Sequence, residues 1–133
     1  MAYPTKFRYT KEHEWIDAQG DSATIGITDY AQHELGDVVF VELPAVASKL
    51  VTGKTFSSVE SVKAVSEIYA PANGEVIETN GALQNTPEII NSDPHGAGWL
   101  VKIKLANPAE VSALMDAAAY EGYIEEKKKE ASA

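Results

Sequence analysis

Among the reactive side chains of the chain, Lys63 has the most organised setting. It lies between Val59-Glu60-Ser61-Val62 and Ala64-Val65-Ser66-Glu67-Ile68-Tyr69. β-Formers on both sides, with small residues between them, read as strand, brief turn, strand, with the lysine at the tip. A lysine there projects its amine into solvent from a rigid base. That placement suits enzymatic acylation of a folded domain, and it suits a swinging arm afterwards. By residue type alone most lysines are plain surface charges, so spacing does not decide between the two. The other reactive types are less organised. His13, His33 and His95 have no metal-ligand spacing, so no metal site is expected. Ser57, Ser58, Ser61 and Ser66 lack a nucleophile-elbow context, and no catalytic residue is assigned.

Composition narrows the field further. The chain has no cysteine, which excludes a disulfide scaffold, a thiolate metal site and a cysteine nucleophile. Sulfur redox chemistry would therefore have to come from an attached group. A net charge of −9, with Arg8 the only arginine, argues against nucleic acid as a partner. It suits solubility and steering toward basic patches on other proteins. No segment approaches the roughly 20 apolar residues of a membrane helix. Met1–Tyr9 is too polar for a signal peptide and too poor in basic residues for an organellar presequence. The cytoplasm is the expected compartment, or the mitochondrial matrix for a chain whose leader has been removed.

The elements that must position Lys63 are mainly short strands. Phe7 to Tyr9, Glu14-Trp15-Ile16 and Ala23 to Ile27 read as an early hairpin turning at Gln19-Gly20-Asp21. Thr28 can cap a short helix to Leu35, with Gly36 ending it. Val38 to Leu43 is a dense β run stopped by Pro44. Further strands are expected at Thr55 to Val59, Ser66 to Tyr69, Glu75 to Glu78 and Trp99 to Leu105. In the last of these Leu100, Lys102 and Lys104 alternate with Trp99, Val101, Ile103 and Leu105. A short helix opened by Thr86 and Pro87 precedes the loop Ser92 to Gly96. Gly36-Asp37-Val38-Val39 is echoed by Gly74-Glu75-Val76-Ile77, suggesting two similar β halves joined by a crossing segment that contains Lys63. Asn107-Pro108-Ala109-Glu110 opens a C-terminal helix, with Val111, Leu114, Met115 and Ala118 as its apolar stripe. Beyond Ile124 the polar run is expected to fray.

Glu60-Ser61-Val62-Lys63-Ala64, followed by Ile68-Tyr69-Ala70-Pro71 and Gly74-Glu75, resembles the lipoylation site of the H-protein family of the glycine cleavage system. The resemblance covers nearly the whole chain. It includes His13-Glu14-Trp15, Ile25-Gly26-Ile27-Thr28, Gly36 through Pro44, Asn91-Ser92-Asp93-Pro94 and Gly98-Trp99, in that order. Biotin carriers flank their lysine with methionine, whereas Val62 and Ala64 stand here. Lipoyl domains of 2-oxo acid dehydrogenases usually place Asp before the lysine, where this chain has Val62. The fold the resemblance implies is mostly β: a lipoyl/biotinyl-type flattened β-barrel, or two-sheet hybrid-motif sandwich, with short helices and an added C-terminal helix. One domain over residues 1–133 is expected. Its β core spans about 5–105, its C-terminal helical segment 108–124 and its polar tail 125–133.

The resemblance also implies a function. Lipoate joins Lys63 through an amide and carries the aminomethyl group of glycine. The group passes from a pyridoxal-phosphate glycine decarboxylase to a tetrahydrofolate-dependent aminomethyltransferase. A flavin (FAD) dihydrolipoyl dehydrogenase reoxidises the arm, and a lipoate ligase or lipoyl transferase installs it. The chain itself is then a non-catalytic carrier, expected to be a monomer. Glu60 and Gly74, around the hairpin, are the expected recognition residues for the lipoylating enzyme, with a structural turn as the alternative for Gly74. The family's arm folds back on the domain, which implies an acidic, partly dry cleft. Glu12 and Glu14, two apart on one strand face, and Glu67, four past the lysine, are the candidates for it. A relay protein that hands lipoate to other enzymes would use the same lysine and stays open as an alternative.

Overall fold

Alternation of β-branched and polar residues produces short strands, and the computed structural model describes them within residues 3–132. Met1, Ala2 and Ala133, the ends of the expected amino-terminal segment and polar tail, lie outside the described residues. The element order is β1 (Arg8–Tyr9), β2 (Glu14–Gln19), β3 (Ser22–Ile27), α1 (Asp29–Leu35), β4 (Val38–Glu42), β5 (Lys49–Leu50), β6 (Thr55–Ser61) and β7 (Val65–Tyr69). It continues with β8 (Gly74–Thr79), α2 (Ala82–Asn85), α3 (Ile89–Ser92), β9 (Val101–Leu105), a 3-10 helix (Pro108–Ala113) and α4 (Ala117–Ser132).

The strands form two antiparallel sheets. One has the order β1-β2-β3-β9-β8-β5, the other β4-β6-β7. The fold is mostly β as expected, but the sheets stay separate instead of closing into a continuous barrel. The echoed Gly-acid steps open β4 in one sheet and β8 in the other, and the chain between them crosses from sheet to sheet. Ile16, Ile25, Val76 and Ile103 from the larger sheet meet Val38, Val41, Val59 and Ile68 from the smaller one in a shared core. Burying each such side chain contributes ~1.5–3 kcal/mol. Leu100 joins this core rather than the polar face, because β9 begins only at Val101.

A second cluster lies under α4, where Tyr3, Phe7, Tyr9, Trp15, Tyr120 and Ile124 are buried together. Its helix departs from the expected one. Residues 108–113 form a 3-10 turn, opened by Asn107 Oδ1 accepting from the Ala109 amide at 3.2 Å. Met115 then pairs with Tyr9, donating to its carbonyl at 3.1 Å and receiving its amide at 2.8 Å. β1 is an open sheet edge, and satisfying that edge outweighs continuing the helix. α4 restarts after Asp116, whose Oδ1 accepts from the Ala119 amide at 2.9 Å. The buried stripe is therefore Ala117, Tyr120 and Ile124, while Ala118 is exposed. The polar run does not fray: α4 reaches Ser132, aided by Lys127–Glu130 and Lys128–Glu125 pairs at 3.6 and 3.8 Å. Thr86 and Pro87 lie between α2 and α3, so the expected short helix is two single turns. Among the described residues no helix is long and apolar enough to cross a membrane.

Candidate functional site

Lys63 sits at the tip of the β6–β7 hairpin, as its flanking residues predict. The ladder runs Glu60↔Val65, Val59↔Ser66 and Ser58↔Glu67. Ser61 closes the turn, its amide donating to the Ala64 carbonyl at 2.7 Å. Its buried hydroxyl accepts from the amides of Ala64 and Lys63 at 3.1 and 3.3 Å. One side chain thus satisfies the orphan donors of a four-residue turn and stiffens it. Outside the hairpin, Val62 donates to the Asp37 carbonyl at 3.0 Å, tying the tip to the start of β4. The Lys63 side chain is exposed, and its amine takes part in no ion pair or hydrogen bond among the described residues.

The tip carries an unusual outer surface. Register aligns Phe40, Glu60 and Val65 across the three strands of the smaller sheet. Phe40 is 50 % exposed, Val65 66 % and Val62 70 %, so the candidate Glu60 stands between apolar neighbours beside the lysine. Gly74 is not part of this surface. It opens β8 in the other sheet, where an added Cβ would lie 2.5 Å from the Lys104 carbonyl oxygen. Strand packing alone therefore requires a glycine there.

The glutamates separate as well. Glu14 is only 1 % exposed, at the start of β2, and lines a cleft of about 390 Å³. Thr10 Oγ1 donates to its Oε1 at 2.5 Å, and the Tyr69 amide donates to Oε2 at 3.3 Å. Burial pushes its carboxyl up to about 7, although both hydrogen bonds pull the other way and Glu12 adds to the rise. Glu12 also lines the cleft, but from the turn between β1 and β2 and exposed, not from one strand face with Glu14. His13 breaks the alternation there, with a φ of 72°. Glu67 lies outside the cleft: it faces solvent on β7 and accepts from Thr55 Oγ1 at 3.3 Å. The remaining walls are Tyr9 to Lys11, Tyr69 to Pro71, Thr52 and Gly53, and the strap Ala113 to Met115, so the Lys11 cation stands beside Glu12 at the cleft. The strap was illegible in the sequence, where Leu114 and Met115 belong to a regular apolar stripe.

His13 and His95 serve packing, while His33 is exposed on α1 beside Asp29. His13 Nδ1 lies 2.8 Å from the Tyr120 hydroxyl, and His95 Nε2 accepts from the Asp29 amide at 3.0 Å. Burial lowers the pKa of both. No cluster of metal-ligating side chains occurs among the described residues. Trp15 is buried and donates to the Pro94 carbonyl at 2.9 Å, while Trp99 is half-buried.

A sequence model of the family described as glycine cleavage H-protein matches residues 7–127. The chain belongs to the glycine cleavage H-protein family. The glycine cleavage system H protein of Acidobacterium capsulatum is 56 % identical over 127 residues, covering 96 % of this chain and 98 % of that one. That of Symbiobacterium thermophilum is 52 % identical, with 92 % and 96 % covered. The crystal structure of the H protein from Mycobacterium marinum superposes with a TM-score of 0.83 at 41 % identity, covering 90 % of this chain and 97 % of that one. At this TM-score the two chains share one fold.

Proposed function

We propose that this chain is the lipoyl carrier of a glycine cleavage system, with lipoate in amide linkage to Lys63 Nζ. The observation that carries the reading is the free amine of Lys63 on a turn made rigid by Ser61, in a member of the H-protein family. The chain's chemistry fits the group, because it has no thiol of its own and its cleft is mostly apolar with one buried carboxylate. When attached, the dithiolane supplies reversible thiol–disulfide chemistry and a sulfur on which a glycine-derived one-carbon amine can travel.

The chain's own residues do the positioning. Acylation removes the charge of Lys63, and the stiff turn keeps the base of the tether fixed while its end sweeps. Tethering raises the effective concentration of the group at any enzyme that docks. Glu60 between Phe40 and Val65 gives a lipoate ligase or lipoyl transferase an acidic contact within an apolar patch. The other end of β7 reaches the cleft, where Glu14 holds a proton at about half occupancy near pH 7. An ammonium entering there draws Glu14 to its charged form, and the apolar walls exclude water around the pair. Glu12 adds negative field from the rim. The partners are the other components of the system: the pyridoxal-phosphate decarboxylase, the folate-dependent aminomethyltransferase and the flavin-dependent dihydrolipoyl dehydrogenase. The chain contributes no catalytic residue.

Intact-mass measurement after treatment with lipoate, ATP and a lipoate ligase tests the attachment. One lipoyl adduct on the wild type and none on Lys63→Arg is expected. An unmodified wild type, or an adduct that persists in Lys63→Arg, sinks the assignment. Glycine-dependent exchange of bicarbonate with the decarboxylase, supported by the modified chain, separates a glycine carrier from a lipoate relay.

A further inference from the structure

We propose that Asn91 is a positioning residue for Lys63, holding the backbone shelf on which the tip of the β6–β7 hairpin rests. Among the described residues, the tip at 62–64 has one backbone hydrogen bond outside its own hairpin, from the Val62 amide to the Asp37 carbonyl at 3.0 Å. The two residues flanking Asp37 are both gripped by one side chain. Asn91 Oδ1 accepts from the Val38 amide at 2.8 Å, and Nδ2 donates to the Gly36 carbonyl at 2.9 Å. The second Nδ2 proton goes to Gln32 Oε1 at 3.0 Å, linking the shelf to α1. Every donor of the amide is used, and turning it over would set its NH2 against the Val38 N–H.

No other side chain meets these demands. Aspartate keeps the acceptor for Val38 but has no protons for Gly36 and Gln32. Glutamine carries an extra methylene, and alanine leaves a half-buried amide and a carbonyl without partners. The shelf also touches the lysine. Gly36 has φ 83°, a conformation that favours glycine, and a Cβ built there would lie 3.6 Å from Lys63 Cε and 4.0 Å from Cδ. The alkyl stem of Lys63 therefore runs over bare backbone that Asn91 fixes in place. β4 pairs Val38 with Ser61, the residue that closes the turn, so the same shelf holds the β6 side of the tip at two consecutive residues.

Asn91 lies on α3, in the other half of the chain, and among the described residues its side chain makes no hydrogen bond to the lysine or the turn. Its effect on modification runs through the position and stiffness of residues 36–38. The inference rests on Lys63 being the attachment point, and its test keeps the two apart. Asn91→Ala and Asn91→Asp would be compared with the wild type by hydrogen exchange at single amides, thermal unfolding and steady-state lipoylation by a lipoate ligase. For Asn91→Ala, exchange at Val62 should rise roughly tenfold relative to amides of β2 and β3, the scale of one or two net hydrogen bonds. The ligase KM for the protein should rise several-fold while kcat holds, because the enzyme must recapture an ordered tip. Asn91→Asp keeps the Val38 bond but sets a carboxylate oxygen against the Gly36 carbonyl, so it should loosen Val62 at least as much, and it decides alone if Asn91→Ala does not fold.

Unchanged Val62 exchange overturns the proposal, as does uniform acceleration across both sheets, which marks a merely structural residue. So does a loosened tip with unaltered KM. A wild type that takes no lipoate sinks the attachment reading instead, whereas a modified wild type with indifferent Asn91 variants sinks this one.

Discussion

At the scale of single residues, Glu14 is the carboxyl that burial moves furthest from its ordinary range. Its carboxyl titrates at about 7 in the folded chain against 4.5 for an unperturbed glutamate, with burial as the main cause. The sign follows directly. Below pH 4.5 the carboxyl is protonated in both folded and unfolded states and costs nothing. As pH rises toward 7 the unfolded chain releases its proton while the folded one keeps it, so stability falls, and above 7 the loss is complete. A shift of this size corresponds to on the order of 3 kcal/mol. Glu14→Gln cannot ionise and keeps an acceptor for the Tyr69 amide. The difference in melting temperature, variant minus wild type, should therefore grow between pH 4.5 and 7 by several degrees and then level off. A flat difference across that range would show that Glu14 is charged and compensated in the native state. The sequence made the pairing of Glu12 and Glu14 visible, but not that a turn with positive φ at His13 sends one into solvent and the other under the sheet. Chain spacing reports separation along a strand and says nothing of where the strand begins.

Among elements, the hairpin that carries Lys63 was fully legible, because both strands and the turn are local. Thr28 and Gly36 also stand where their chemistry predicts, capping α1 and ending it, with the Thr28 hydroxyl accepting from Ala31 at 3.2 Å. The C-terminal segment was not legible, since its break at Met115 is set by β1, more than a hundred residues upstream. Nor could Asn91 be read as a clamp, because all three of its partners lie more than fifty positions away. What a tertiary contact decides, local periodicity cannot show. The consequence for α4 is specific. Tyr120 stacks on Tyr9 at 4.7 Å, and its hydroxyl lies 2.7 Å from Thr28 Oγ1 and 2.8 Å from His13 Nδ1. Tyr120→Phe keeps the stack but takes a hydrogen-bond partner from His13 and from Thr28, which retains only the Ala31 amide, a loss of about 1–3 kcal/mol. Thermal unfolding should show a fall of a few degrees or more. Glu126→Ala, on the exposed side of the same helix, should stay within about 0.5 kcal/mol of the wild type. Equal effects from the two variants would mean that α4 is not held through Tyr120.

Across the whole molecule, the dominant electrostatic fact is an excess of 20 acidic over 11 basic side chains. Two opposed terms depend on salt. The ion pairs among the described residues, such as Lys49–Glu75 at 2.6 Å and Lys6–Asp17 at 3.6 Å, are mostly exposed and attractive. Exposed pairs of this kind add little to stability, since solvent and salt screen them. Against them stands the mutual repulsion of the unpaired carboxylates spread over a chain whose radius of gyration is roughly 14 Å. The screening length decides which term responds. It is about 30 Å at 0.01 M salt, longer than that radius, and about 8 Å at 0.15 M. Contact pairs lie well inside both lengths and change little, whereas repulsion across the molecule is present at low salt and largely screened at physiological salt. Raising sodium chloride from 0.01 to 0.15 M at pH 7 should therefore raise the melting temperature by roughly 2–5 °C, about 1 kcal/mol for a chain of this size. Chloride is the salt to use, since sulfate strengthens apolar burial by exclusion and would raise stability in any case. A melting temperature that falls with chloride would mean that the local pairs outweigh the net charge, and that the acidic surface is not the long-range field that draws the chain toward basic partners.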